Sequence, residues 1–344
     1  MVETKKNIPF QQVITLLLDT SNPFPASLLY RFSDLSELEL SQIKEVWPNV
    51  ETSRRLHLLE DLEELALNNT LVLFDDLARF ALDDKDPEVC SAAISLLWEC
   101  EDPKLAPRLI KLTCEEFDPR VRVAAASGLG MFVQLGELDK ISPVLKKRVE
   151  ETLLDLVNSK ESSNLRRHAL EALGYSGRKE IPPLIRAAYN HSDPLWVSSS
   201  LFAMGRSADS IWEKSILKML DHPDLDVQVE AVRAAGALEL RSSRKFIIEI
   251  LKGYYDLDIE LRRVCIWSLS QIGGRGISTI LNTLLENCDD DEESAFIEEA
   301  IENLSLNEEV GSFDIFDIDA DDENQRIIID PEGEGLVDID DDDD

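Results

Sequence analysis

Side chains that could act as general bases, nucleophiles or metal ligands are few and scattered along the chain. Histidine is the side chain best suited to proton transfer and metal binding near neutral pH, and the chain contains His57, His168, His191 and His222. His191 and His222 each stand two residues before an aspartate, which leaves open either a metal site shared by adjacent turns or two plain turn positions. The motifs of serine hydrolases, phosphate-binding loops and dinucleotide-binding domains are absent. We therefore expect no catalytic residue, no cofactor and no bound metal.

The cysteines do not form the spacing of a disulfide framework or a zinc cluster. Their number is odd and no two of them make a C-x-x-C pair; they are Cys90, Cys100, Cys114, Cys265 and Cys288. We expect reduced, buried thiols that pack as small apolar side chains.

The charge of the chain excludes some classes of partner. Asp and Glu number 69 against 35 Lys and Arg, and the formal net charge is −34. Such a chain repels phosphate backbones, so we expect no nucleic acid partner. The apolar stretch that ends at Leu18 is interrupted by Gln11 and Gln12, and no segment reaches the roughly 18 apolar residues of a membrane span. We expect a cytoplasmic protein with no membrane contact.

One pattern recurs seven times along the chain, and it defines the elements that must position any site. The copies start at Asp86, Asp118, Ser162, Asp193, Asp224, Asp258 and Glu293. Counted from each start, offsets 3, 7, 8 and 11 are apolar or small, and these offsets share one face of an α-helix. The small residues at offset 7 are Ala93, Ala125, Ala169, Ser200, Ala231, Cys265 and Ala300. A leading Asp followed by Pro suits a helix N-terminus.

Each copy also has another apolar helical stretch, which comes before the repeated pattern. The unit is therefore a hairpin of two helices, and the repeated pattern begins the second of them. A single hairpin cannot bury its apolar face, and neighbours must therefore stack. The step from Asp118 to Ser162 is about a dozen residues longer than the others, which predicts an insertion around residues 134–146. Four tryptophans at helical positions are expected to be core residues: Trp98, Trp196, Trp212 and Trp267.

The signature D-P-x-V-R-x-A-A-x-x-x-L resembles HEAT repeats, especially the short bacterial type called PBS-lyase HEAT-like. This resemblance implies an all-α fold, a right-handed alpha-alpha superhelix in which about seven helical hairpins form a solenoid over residues 82–305. Residues 1–81 lack the signature but have helical patterns, and we interpret them as an N-terminal helical cap. No histidine is followed by Glu, so the paired His-Glu motifs of HEAT-type iron hydroxylases are absent.

Residues 306–344 have the composition of an acidic disordered tail. From Asp314 onward the chain has fifteen acidic residues and one basic residue, Arg326. Apolar residues alternate with the acids, as in Phe313, Ile315 and Phe316. Either a solubilising tail or a segment that binds on folding fits this pattern.

A broken basic strip accompanies the second helices. It consists of Arg122, Arg166, Arg167, Gln228, Arg262 and Arg263, at offsets 4 and 5. One interpretation is structural, since arginines at these positions commonly bond to a turn aspartate or to helix carbonyls. The other is a partner-binding strip for an acidic segment.

The fold predicts a non-catalytic scaffold or adaptor, expected as a monomer, that binds a protein partner of unknown identity on the concave face lined by the second helices. Two alternatives stay open. One is an enzyme subunit like the phycobilin lyases after which the repeats are named, and the other is an acidic, chaperone-like holder of basic proteins.

Overall fold

The structure is a computed structural model that describes residues 8–311, 326–330 and 335–339. It divides into two compact units, residues 1–176 and 177–344. Both are built from α-helices, which confirms the all-α class. No helix within these residues has the length and apolar character needed to cross a membrane.

Within its described residues, 8–176, the first unit contains nine α-helices. They are α1 (Phe10–Leu18), α2 (Glu37–Val46), α3 (Thr52–Leu67), α4 (Asp75–Ala81), α5 (Pro87–Leu96), α6 (Leu105–Glu115), α7 (Pro119–Glu137), α8 (Pro143–Val157) and α9 (Ser163–Leu173). Three hairpins, α4–α5, α6–α7 and α8–α9, stack through their second helices, with α5 against α7 and α7 against α9. Helix α3 packs on α5 in the same way, so the interpreted cap continues the stack. The predicted boundary at residue 82 separates the two helices of one hairpin, because the signature begins only at the second helix.

The second unit contains four hairpins between residues 177 and 311, where the structure describes every residue. Its helices are α10 (Ile181–Tyr189), α11 (Pro194–Arg206), α12 (Glu213–Leu217), α13 (Leu225–Ala237), α14 (Arg244–Leu251), α15 (Ile259–Ile272), α16 (Ile277–Glu286) and α17 (Asp291–Gly311). The second helices form one layer, in which α11 packs on α13, α13 on α15 and α15 on α17.

Part of the predicted tail is described. Helix α17 continues to Gly311, beyond the predicted boundary at 305. Strands β1 (Arg326–Asp330) and β2 (Gly335–Ile339) pair antiparallel, and β1 contacts α16 while β2 contacts α14. The predicted disorder of residues 312–325, 331–334 and 340–344 falls outside the described residues.

The predicted repeat starts are helix N-caps in six of seven copies. The side chains of Asp86, Asp118, Ser162, Asp193, Asp224 and Asp258 accept hydrogen bonds from backbone N–H groups of the first helical turn. The seventh start is wrong. Asp290 accepts the hydrogen bond from the backbone N–H of Glu293, so α17 begins three residues earlier than predicted.

Small residues let the second helices approach closely. The offset-7 residues of the six correctly placed copies have no measurable exposure, and neither has Ala300 of the seventh. A Cβ atom on Gly205 would lie 3.1 Å from the Cα atom of Ala234, and one on Gly236 would lie 2.6 Å from Oγ of Ser268. A side chain at position 236 would therefore force Ser268 to move, and one at position 205 would crowd the backbone of α13.

The predicted insertion is helical. Helix α7 has 19 residues and α8 has 15, longer than their counterparts α5 with 10 and α6 with 11. The extra residues lengthen both helices around one short turn and form no separate loop.

Candidate functional site

In five hairpins the side chain at offset 4 of the second helix bonds to a backbone carbonyl in the last turn of the first helix or in the turn that follows it. Arg122 Nε donates to the carbonyl of Thr113, Arg166 Nε to that of Val157, Gln228 Nε2 to that of Leu220 and Arg262 Nη1 to that of Tyr254, over 2.8 to 3.4 Å. The thiol of Cys90 makes the same bond to Leu82 at 3.3 Å. The last carbonyls of a helix have no partner within it. Offset 4 therefore supplies a C-terminal cap.

Three arginines of the basic strip also join one hairpin to the next. The two terminal nitrogens of Arg122 each donate to Glu161 at 3.0 Å. Arg262 and Arg263 both donate through Nε to Glu293 at 2.9 Å.

The remaining strip arginine, Arg167, donates to the side chain of Asn164 at 2.9 Å. Every strip residue is thus engaged within the chain, which favours the structural interpretation. A role for the strip in partner binding stays a prediction.

A groove of about 380 Å³ opens on the second-helix layer of the second unit. Its lining residues come from α13, α15 and α17; they are Arg233, Ile259, Glu260, Arg263, Val264, Trp267 and Phe296. The rings of Trp267 and Phe296 lie 6.2 Å apart, and both are half-buried. The groove is therefore an aromatic and aliphatic depression that solvent can reach.

The arginines of the groove are surrounded by acids. Arg233 forms ion pairs with Glu230 and Glu260. Arg263 pairs with Glu292 at 3.0 Å and Glu293 at 2.9 Å, and its guanidinium lies over the ring of Phe296 at 5.4 Å. Arg262 shares Glu293, so three cations face four carboxylates, and the formal charge of this set is negative by one.

Sequence reasoning missed this groove. The helical position of Trp267 predicts a core residue. A start at Glu293 places Phe296 at offset 3, on the buried face. Counted from Asp290, Phe296 falls at offset 6, and Trp267 falls at offset 9 from Asp258. Offset 9 lies on the face opposite the core, and offset 6 lies at the edge of the core face, where Ser199 and Val264 are buried. A correct register therefore contains the signal for Trp267, and only a weaker one for Phe296. Trp98 is likewise exposed, whereas Trp196 and Trp212 are buried as expected.

His191 and His222 have the same local role. In each, Nδ1 accepts a hydrogen bond from the backbone N–H of the aspartate two residues later, at 3.0 Å for Asp193 and 3.2 Å for Asp224. This arrangement matches the turn-surface interpretation. Across the described part of the chain, no group of three or more His, Cys, Asp and Glu side chains is placed to hold a metal ion.

One cluster resembles a hydrolase triad by composition. Oγ of Ser127 on α7 lies 3.2 Å from Nδ1 of His168 on α9, and a carboxylate oxygen of Glu171 lies 3.0 Å from the same Nδ1. A catalytic triad needs the nucleophile and the acid on different ring nitrogens. Since both contacts use one nitrogen, the cluster lacks the geometry for proton transfer from serine.

The thiols differ in their surroundings. Cys90, Cys100 and Cys265 are buried, whereas Cys114 is exposed and Cys288 half-buried, so the expectation of buried thiols is wrong for Cys114. Burial raises the pKa of Cys90 to about 11 and that of Cys265 to about 12. A raised pKa suppresses the nucleophilic thiolate, which makes these two cysteines packing residues.

Comparisons with known proteins identify the family to which this architecture belongs. The HEAT repeat family matches residues 74–152 and 213–305, together half of the chain. No curated protein matches the sequence.

Solved structures similar to the chain share the fold at low identity. A chain in the complex of CpcE and CpcF of phycocyanin lyase from Nostoc is 16% identical, with a TM-score of 0.51 over 83% of this chain and 97% of that chain. YibA of Escherichia coli is 17% identical, with a TM-score of 0.40 over 81% of this chain and 95% of that chain. Human deoxyhypusine hydroxylase is 15% identical, with a TM-score of 0.34 over 76% and 95%. At 16% identity the likeness to the Nostoc chain shows the fold alone, and together with the family match it confirms the predicted class of stacked HEAT-like hairpins.

Proposed function

Because the chain belongs to the HEAT repeat family, we propose that it is a non-catalytic scaffold that binds a protein partner on the second-helix layer of its second unit. HEAT-like stacks offer extended surfaces, and binding energy on such surfaces concentrates in a few buried aromatic and arginine anchors. The groove between α13, α15 and α17 is the observation that carries this proposal.

The groove suits one apolar side chain of a partner. Trp267 and Phe296 supply aromatic walls, Ile259 supplies an aliphatic edge, and the volume of about 380 Å³ admits a side chain of leucine or phenylalanine size. Enclosing such a side chain contributes about 1.5–3 kcal/mol. The excess of carboxylates around Arg233 and Arg263 favours a partner that carries lysine or arginine beside this anchor.

The similar Nostoc chain was solved in a complex of two proteins, CpcE with CpcF. This supports a protein as the partner of the present chain and leaves its identity open. The cytoplasmic location and the monomeric state expected from the sequence stay predictions.

Affinity capture from the native host, followed by mass spectrometry, tests the proposal when groove variants are compared. Trp267→Ala and Phe296→Ala should lose a set of proteins that the wild-type chain captures. Trp98→Ala is the matched control, because Trp98 is an exposed aromatic of the first unit. Thermal midpoints of all variants show whether they fold. Capture that is equal for folded groove variants and wild type contradicts binding at the groove.

The two alternatives have their own readouts. A phycobilin lyase would change the absorbance of an added tetrapyrrole; we expect no change, and a new band would contradict the non-catalytic assignment. An acidic holder of basic proteins would lose all its captured partners at moderate salt. Binding through the apolar groove should persist, because salt screens charges and leaves apolar burial intact.

A further inference from the structure

Three exposed aliphatic side chains stand in the first turn of successive second helices of the second unit, two of them directly after the cap and the third one residue further on. Leu225 and Ile259 are the first residues of α13 and α15, and Leu195 is the second residue of α11. Their exposed fractions are 41%, 54% and 46%, respectively. One exposed leucine is ordinary, but packing does not account for exposed aliphatic residues at the same helical turn of three neighbouring helices. We call these three residues the apolar row.

The spacing of the apolar row matches an extended polypeptide. Helix α11 packs on α13 and α13 on α15, and packed helices lie about 8–10 Å apart. A chain in polyproline II conformation turns once every three residues while rising about 3.1 Å per residue. Every third side chain of such a segment would therefore face the next member of the row. Ile259 also lines the groove, which places the third contact beside Trp267.

The turns beside the apolar row carry carboxylates in excess of the cations that face them. Arg233 and Arg263 line the adjoining groove, and both are already paired with glutamates. The turns that lead into the second helices are residues 191–195, 222–226, 257–260 and 288–293, and they contain no lysine or arginine. Their acids are Asp193, Asp224, Asp226, Asp258, Glu260, Asp289, Asp290, Asp291, Glu292 and Glu293. Four of these cap helices, and Asp226, Glu260 and Glu292 are among those exposed to solvent. A basic segment complements this surface, and an acidic one is repelled.

We infer that the apolar row and the groove together bind an extended, basic segment of a partner protein with an apolar side chain at every third position. This inference rests on the proposed function and specifies the chemistry of the partner. Its lysine or arginine side chains lie beside the turn carboxylates, and its apolar side chains contact Leu195, Leu225 and Ile259 in succession.

The chain itself contains a segment with this apolar spacing and the opposite charge. Phe313 and Phe316 are three residues apart, as are Ile315 and Ile318, with Asp314 and Asp317 between them. A peptide with the sequence of residues 312–325 therefore separates the contribution of spacing from that of charge.

Fluorescence anisotropy with labelled peptides and the full chain tests the inference. The main probe has leucine at every third position with lysine and serine between. Three comparison peptides are used: one of the same composition with adjacent leucines, one with glutamate in place of lysine, and residues 312–325 of this chain. We expect the main probe to bind at least about tenfold more tightly than each of the three.

Variants of the chain locate the binding surface. Combined Leu195→Ser, Leu225→Ser and Ile259→Ser changes should weaken the main probe by at least about tenfold. Ile211→Ser is the matched control, because Ile211 is 53% exposed and lies in the turn after α11, at the opposite edge; binding should not change. If the peptide with adjacent leucines binds as tightly as the main probe, the inferred spacing of the apolar side chains is wrong. If either acidic peptide binds as tightly, the inferred preference for basic side chains is wrong. An unaffected triple variant overturns the surface.

The outcomes separate this inference from the proposed function. If host proteins are captured through Trp267 and Phe296 but the main probe binds no better than its comparisons, the scaffold stands and the segment chemistry is wrong. If the probe binds through the apolar row while capture is insensitive to Trp267 and Phe296, the proposed groove is wrong and the row stands.

Discussion

Arg262 donates a hydrogen bond through Nε to the carboxylate of Glu293 across 2.9 Å, joining the second helices of the last two hairpins. Glu293 is only 3% exposed and stands three residues after its helix cap, where the other copies have an apolar side chain. Arg263 donates to the other carboxylate oxygen at 2.9 Å. A buried charge in an apolar position is tolerated here because two cations of the preceding repeat neutralise it.

Replacing Glu293 should reveal the strength of this pairing. Glu293→Ala removes the acceptor of Nε in both Arg262 and Arg263 and should lower the free energy of unfolding by about 1–3 kcal/mol. Glu292→Ala is the control, because Glu292 is 81% exposed and its pair with Arg263 lies in water; it should cost less than about 0.5 kcal/mol. Urea unfolding measures both. Equal losses of unfolding free energy for the two variants would mean that the buried carboxylate of Glu293 stabilises the fold no more than the exposed one of Glu292.

The offset-4 bond should matter in the same way at each hairpin that has it. Gln228→Leu removes the donor to the carbonyl of Leu220 and should cost about 1 kcal/mol. Gln228→Arg should cost less, since arginine makes this bond at positions 122, 166 and 262. Urea unfolding of the two variants checks the prediction, and a Leu variant as stable as the Arg variant would refute the capping role.

The offset-7 position should reject a larger side chain. Ala125 is fully buried between helices, so Ala125→Leu should overpack the contact and lower stability by about 1–3 kcal/mol. Ala124→Leu, at the half-exposed position before it, is the matched control and should be tolerated. The difference between their thermal midpoints measures the effect. A reversed order would show that the assigned register of α7 is wrong.

Alkaline pH should destabilise the fold through Cys265. Burial raises the pKa of its thiol to about 12, against 9.0 for a free thiol. Between these values the unfolded chain loses the proton and the folded chain keeps it, so stability is intact below pH 9 and falls as pH rises. By pH 10 this one group should remove about 1 kcal/mol.

Unfolding by urea at pH 7, 8.5 and 10 measures this loss. Cys265→Ala should show a shallower decline, because offset 7 accommodates alanine in four other hairpins and alanine does not ionise. Cys288→Ala, at a half-buried thiol, should decline as the wild-type chain does. A Cys265→Ala decline as steep as that of wild type would assign the pH dependence to other groups.

Local chemistry made the hairpins predictable. An aspartate before a proline caps a helix by accepting a hydrogen bond from the backbone N–H two residues later, which is a local interaction. The starts of α7 and α11, at Asp118 and Asp193, could therefore be predicted without the tertiary fold. The seventh start was misplaced because Glu293 in an apolar position looked like a cap. Its neutralising partners, Arg262 and Arg263, lie 30 or more residues away in sequence.

The groove was unpredictable for a related reason. Its residues come from three hairpins, and each is unremarkable alone: Trp267 could pack inward, and Arg233 could pair with solvent-exposed acids. Only the stacking of α13, α15 and α17 brings them together. The basic strip, in contrast, is visible in the sequence. In the structure all of its residues make intrachain hydrogen bonds.

The offset-4 cap has an evolutionary consequence. Because the bond joins two parts of the same hairpin, it is inherited whole when a hairpin is duplicated or deleted. A duplicated hairpin would therefore bring this bond with it. The pairs of Arg122 with Glu161 and of Arg262 with Glu293 instead cross from one hairpin to the next, so exchange of either partner's hairpin alone would break them. Change in the number of hairpins is thus easy for the bonds within a hairpin and constrained by the bonds between neighbours.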